Sequence, residues 1–204
     1  MPRPDRRTAT NASPHRPALE ALGLREPGLG RLERYLDTLA AWGSRTNLTA
    51  ARSPHERVRL LVAEVLPAIA LPAPGRLIDI GSGNGSPGLV MALLREDLEV
   101  TLLEPRLRRW AFLREAVRDA VPARAVTVVR ARHDGYEGPL ARTLSLRALR
   151  LPLGELDRLL APGGQVLVLG KAPPAEPPFE AVVLAEERRD VHLFRRQATV
   201  PRGT

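Results

Sequence analysis

The chain has 204 residues, 44% of them hydrophobic, with no cysteine and a net charge of +8. Such a length suits one sizeable domain with an appendage, and the missing thiols exclude disulfides, thiolate metal sites and cysteine nucleophiles. No apolar run nears the ~20 residues needed to cross a bilayer, while the excess of positive charge points to phosphate backbones as partners.

Residues 1–17 are basic and rich in Pro, Ser and Thr, without the apolar centre of a secretory signal. They read as a disordered tail, though an organellar transit peptide shares that composition. The protein is expected to be soluble and intracellular. Residues 18–71 read as a helical extension and 72–204 as the core. In the extension, Leu32, Tyr35, Leu36, Leu39 and Trp42 fall on one helical face, and Gly43 ends that helix. Ser53-Pro54 with Glu56 has the form of a helix start, and the pattern predicts a second amphipathic helix reaching Ile69. Asn47-Leu-Thr49 matches a glycosylation sequon, which an intracellular protein would not use.

The informative stretch is Arg76-Leu-Ile-Asp-Ile-Gly81-Ser-Gly83-Asn-Gly85-Ser-Pro-Gly88. A β-favouring run enters a glycine turn and then a helical pattern, the form of a nucleotide-binding strand-turn-helix. A dinucleotide fingerprint would have glycine at 86, where this chain has Ser. The next strand ends at Glu104, the place where such folds put a carboxylate for the two ribose hydroxyls. Together these favour an adenosine-type cofactor, and the spacing leans from NAD toward S-adenosylmethionine.

Beyond it the order continues as helix 87–95, strand 99–104, helix 106–120, strand 125–130, strand 143–146 and helix 152–160. Ala161-Pro-Gly-Gly164 reads as a tight turn before strand 165–169, and segments 180–187 and 190–198 pair antiparallel at the sheet edge. This is the order of a class I, Rossmann-like α/β methyltransferase sheet, here with an N-terminal helical extension. Ligands of such sheets bind at the carboxyl ends of the strands, where Gly81, Ser86, Glu104, the 130–134 loop and the 146–148 loop converge.

With these segments aligned, the chain resembles the small-subunit ribosomal RNA methyltransferase G family, also called glucose-inhibited division protein B. The matching pieces are Trp42 with Asn47-Leu-Thr49, Asp79 through Gly88, Val100 through Glu104, Arg108 through Leu113, Arg132-His-Asp134, Arg147-Ala148, Pro162-Gly-Gly164 and Lys171. The resemblance implies a cytoplasmic enzyme that methylates guanine N7 in 16S ribosomal RNA, naked or in the small subunit, with S-adenosylmethionine as cofactor. Carried over by position, the cofactor contacts are Gly81, Gly83, Ser86, Glu104 at the ribose, His133 and Asp134 near the adenine, and Arg147. No metal is implied, and Arg147 is a positioning candidate rather than a proton donor or acceptor. RNA contacts fall to Arg45, Arg52, Arg57, Arg59, Arg106, Arg108, Arg109 and Lys171, and a monomer is expected.

The chain also departs from the family. Leu60-Leu61 and Glu64-Val65 stand where an Arg-His and an Asp-Ser pair are usual, Ser86 where an aromatic or leucine is common, and Ala141-Arg142 where an aspartate precedes strand four. The chemistry of the acceptor narrows independently. Pyrimidine C5 methylation needs a thiolate, and exocyclic amines are usually methylated beside an Asn-Pro-Pro-Tyr-like motif, where this chain reads Ser145-Leu-Arg-Ala-Leu149. A ring nitrogen or a small molecule remains, so a small-molecule methyltransferase stays an alternative, as does a catalytically impaired RNA-binding relative.

Overall fold

The computed structural model describes residues 12–43, 46–121, 126–185 and 190–197. Helix α1 (Arg16–Ala21) starts within the stretch expected to be a tail. His15 just before it is fully buried, its Nδ1 lying 2.8 Å from Asp37, so the expectation of disorder up to residue 17 is corrected for this part; residues 1–11 lie outside the described residues. Helix α2 (Gly28–Gly43) matches its expected span. Leu32, Tyr35, Leu36 and Leu39 are fully buried along the predicted face, and the Trp42 ring meets Phe112 edge-on at 5.9 Å.

The second N-terminal helix is broken. Helix α3 (Pro54–Val58) has the expected capping box of Ser53 and Glu56, then gives way to a π turn at Arg59–Ala63 and a 3₁₀ turn at Leu66–Ala68. The Glu64 amide reaches back five residues to the Arg59 carbonyl, and Pro67 has no N–H with which to continue a helix.

Strand β1 (Gly75–Ile80), helix α4 (Gly88–Leu94), β2 (Leu98–Leu103), helix α5 (Leu107–Ala120) and β3 (Val126–Val129) follow as expected. Then come β4 (Ala141–Arg147), a 3₁₀ segment at Leu153–Leu159 in place of the predicted helix, β5 (Leu160–Leu169), β6 (Phe179–Val182) and β7 (Val191–Arg196). The Pro-Gly-Gly sequence is a bulge inside β5 rather than a turn before it: Ala141 pairs with Leu160 but Thr143 pairs with Gln165. The sheet order is β3-β2-β1-β4-β5-β7-β6, with the first five strands parallel and β7 antiparallel to both its neighbours. The two final strands thus pair as expected, with β7 inserted beside β5 and β6 left at the edge. Residues 186–187 and 198 of the two expected segments lie outside the described residues.

Alternation along the strands builds two cores. Leu77, Val100, Leu102, Leu167 and Leu169 face α2, α4 and α5, while Ile78, Ile80, Leu103, Val166 and Val168 face the 3₁₀ segment and Phe179. The first core is continuous from Leu19 in α1 to Leu193 in β7, so the N-terminal helices share it with the sheet and have no separate one. Among the described residues no helix is long and apolar enough to cross a membrane.

At the turn into α4, a Cβ on Gly88 would lie 2.4 Å from the Cβ of Asp79 on β1. Neither partner can yield, because both sit on the packed strand-turn-helix. The Gly88→Ala variant is therefore expected to lose about 2 to 3 kcal/mol of unfolding free energy in urea denaturation, and an unchanged midpoint would contradict this packing.

Candidate functional site

Three strand ends are level. Ile80 of β1 pairs with Leu103 of β2 on one side and with Leu146 of β4 on the other, so Gly81, Glu104 and Arg147 leave the sheet side by side. Gly81 and Gly83 both take positive φ, 70° and 54°, which glycine accepts without strain and which turns the chain back over the strand ends. Glu104 is buried, and its two carboxylate oxygens each accept one backbone N–H: Oε2 from Gly83 at 3.0 Å and Oε1 from Arg106 at 2.8 Å. One side chain thus pins the glycine turn to the start of α5, and it keeps unused lone pairs for a further donor.

Arg147 closes the opposite side. Its guanidinium donates to the Ser86 hydroxyl at 2.8 Å and pairs with Glu64 at the end of the π turn; the Ser86 hydroxyl in turn donates to the Leu61 carbonyl at 2.8 Å. The next residue, Ala148, adopts a left-handed backbone with φ 54°, unusual for a side chain with a Cβ and a mark of a tightly held loop. The glycine turn is also held from α2, where the Tyr35 hydroxyl donates to the Asn84 carbonyl at 2.8 Å, and from the Asn47-Leu-Thr loop, where the Asn84 amide donates to the Leu48 carbonyl at 3.1 Å.

Two adjoining cavities open over these groups. One, of about 460 Å³, is lined by Gly81, Glu104, Arg109, His133, Arg147 and Leu149 among others. The other, of about 300 Å³, is lined by Leu48, Gly83, Asn84 and Ser86, and shares Gly81, Arg109, Arg147 and Ala148 with the first. Of the site residues expected from sequence, Gly81, Glu104, His133 and Arg147 meet in the larger cavity, and Gly83 and Ser86 in the smaller. His133 is buried and its Nε2 donates to Glu155 at 3.1 Å. Asp134 departs from expectation: its side chain is 60% exposed, pairs with Arg132, and lines neither cavity. Of the expected RNA contacts, Arg52, Arg59, Arg106, Arg108 and Lys171 are exposed, Arg57 is half-buried and Arg109 enters both cavities, while Arg45 is outside the described residues. Tyr35, Glu64 and Asn84 were not singled out by sequence reasoning as site residues. Tyr35 reads there as a core position, and only its hydroxyl bond reveals the second task.

Asp79 sits beneath the turn, buried, with Ser145 donating to Oδ1 at 2.6 Å and Oδ2 without a hydrogen-bond partner. Burial pushes its pKa up from 3.8 to about 6, against the opposing pull of Ser145, Ser82, the Gly88 amide and Arg147.

A parallel sheet with one reversed strand, a glycine turn after β1 and an acid after β2 define a class I S-adenosylmethionine-dependent methyltransferase fold. Two solved structures agree: one from Plasmodium falciparum, described as a β-aspartate methyltransferase in complex with S-adenosyl-L-homocysteine, superposes with a TM-score of 0.53 over 93% of this chain and 97% of its own. A mutant of MtNAS in complex with S-adenosylmethionine gives 0.54 over 89% and 82%. At 17% and 15% identity these likenesses concern the fold alone. Within that class the sequence is more specific. The family model for rRNA small subunit methyltransferase G matches residues 29–177. Proteins named ribosomal RNA small subunit methyltransferase G from Xanthomonas campestris and Anaeromyxobacter dehalogenans are 35% and 37% identical, covering 78% and 74% of this chain and 76% and 74% of their own. The chain belongs to the rRNA small subunit methyltransferase G family.

Because folding raises the pKa of Asp79, the folded state binds more protons than the unfolded chain between about pH 4 and 6, and stability falls as pH rises through that window. The difference is about 3 kcal/mol for a fully buried group. Asp79→Asn keeps the acceptor for Ser145 without the charge, so its unfolding free energy from pH 4 to 7 is expected to lie on a flatter line than that of the wild type. Parallel curves would show that another group carries the pH dependence.

Proposed function

We propose that the protein methylates N7 of a guanine in 16S ribosomal RNA, acting as a monomer in the cytoplasm. The observation that carries the reading is the alignment of Gly81, Glu104 and Arg147 on three adjacent strand ends, in a chain of this family. The residues fit S-adenosylmethionine. Glu104 retains lone pairs facing the larger cavity for a ribose diol, His133 and Leu149 flank the space beyond it, and the glycine turn keeps side chains away from the smaller cavity. Arg147 and Arg109 border both cavities and suit a ligand carboxylate, since a guanidinium offers paired donors to two oxygens.

The cofactor supplies a methyl group on a positively charged sulfur, which a ring nitrogen accepts through its lone pair with no proton to remove. The protein's work is then to hold and orient, an effect able to contribute several kcal/mol. The net charge of +8 and the exposed Arg52, Arg106 and Arg108 support an RNA acceptor over a small molecule.

The test is incubation with methyl-labelled cofactor and small ribosomal subunits that lack the modification, followed by cleavage selective for N7-methylguanine. One labelled guanine is the expected result. Cofactor binding without label on subunits or naked RNA would turn the reading toward a small-molecule acceptor, and no binding at millimolar cofactor toward a non-catalytic RNA-binding relative. In calorimetry Glu104→Gln is expected to weaken cofactor binding at least tenfold; equal affinity would remove Glu104 from the ribose site.

A further inference from the structure

A third cavity, of about 340 Å³, lies beyond the carboxyl ends of β4 and β5. It is within the roughly 300–1,000 Å³ typical of small-molecule sites. Leu151 lines both this cavity and the larger cofactor cavity, so the two adjoin at the loop that follows Arg147. Its sides are apolar, made by Leu151 and the rings of Pro173 and Pro174, while its polar groups are Arg150, Lys171 and Glu176. Among the described residues none of those three side chains has a hydrogen-bond or ion-pair partner, although they border one cavity and carry opposite charges.

Resting on the function proposed above, we propose that this cavity receives the acceptor guanine and that Glu176 reads it. The usual arginine contact to guanine, bidentate to O6 and N7, would block the atom that must be methylated. A reader therefore has to work from the opposite edge of the base. There guanine alone among the four bases carries two adjacent donors, N1–H and the N2 amino group, and a carboxylate accepts both in parallel. Adenine presents an acceptor at N1 and would meet the carboxylate with repulsion. A guanine held by Glu176 at that edge can turn N7 past Leu151 toward the cofactor cavity, its faces lying between apolar side chains as in other sites that take a base out of its stack. Arg150 and Lys171 then lie at the rim to hold the phosphates on either side of the extruded nucleotide.

The experiment compares guanosine with inosine, which lacks the N2 amino group, at the nucleotide that the wild-type enzyme labels, in the same RNA or reconstituted subunit. Glu176→Gln is expected to lower kcat/KM on guanosine roughly ten- to a hundredfold, while cofactor affinity and melting temperature stay unchanged. On inosine the wild-type enzyme is expected to lose a similar factor, and the variant far less than the product of the two losses, because both changes remove the same contact. Full multiplicativity, or undiminished activity of the variant on guanosine, would overturn the assignment of Glu176. Absence of any labelled guanine with the wild-type enzyme would instead overturn the proposed function on which the assignment rests.

Discussion

Three parallel strands stop at one level, and the site exists because they do. Pairing of Ile80 with Leu103 and Leu146 fixes where β1, β2 and β4 end, so the residues that follow them are neighbours whatever lies between them in sequence. Side-chain bonds then convert that neighbourhood into a cavity. Glu104 binds amides from two loops, and Arg147 joins the glycine turn to the N-terminal π turn. A shift of one residue in either pairing would reverse which face the shifted strand's side chains occupy and would move Glu104 or Arg147 away from Gly81, so the hydrophobic alternation that builds the two cores also sets the geometry of the site.

The core of the sheet was legible in the sequence because its signals are local. A β-favouring run into Gly-x-Gly-x-Gly, a carboxylate at the end of the next strand and regular alternation suffice for β1 through β5, and Gly81 and Glu104 could be named from them, whereas Arg147 came only from the resemblance to the family. Two of the misreadings have a physical origin in proline and glycine. Pro67 ends a helix that periodicity alone would continue, and Pro162-Gly-Gly164 is absorbed as a bulge within a strand where turn chemistry suggests a break. Asp134 sits beside a site residue in sequence but its side chain turns outward to Arg132, a choice of direction that spacing cannot reveal. The ties made by Tyr35, Asn84 and Glu64 depend on contacts between residues 36 to 83 positions apart, which no local pattern records.

The departures from the family pattern also take on meaning in three dimensions. Glu64 is the acidic partner of Arg147, so a carboxylate remains where the family commonly has aspartate. Ser86, small and polar where bulk is common, serves as the relay between Arg147 and the Leu61 carbonyl. Leu61 is buried and contributes its backbone rather than its side chain to this network. The substitutions in the second N-terminal segment are thus consistent with an intact cofactor side.

The continuity of the first hydrophobic core has an evolutionary consequence. Leu19, Leu36 and Tyr35 pack into the same interior as Val100 and Leu102, and Tyr35 reaches through it to the glycine turn. The N-terminal region therefore cannot be exchanged as a cassette between relatives to retarget the enzyme, since a foreign segment would have to restore both the interior packing and the grip on Asn84. New specificity is easier to acquire at Arg150, Lys171 and Glu176, exposed residues that border the third cavity and belong to neither hydrophobic core.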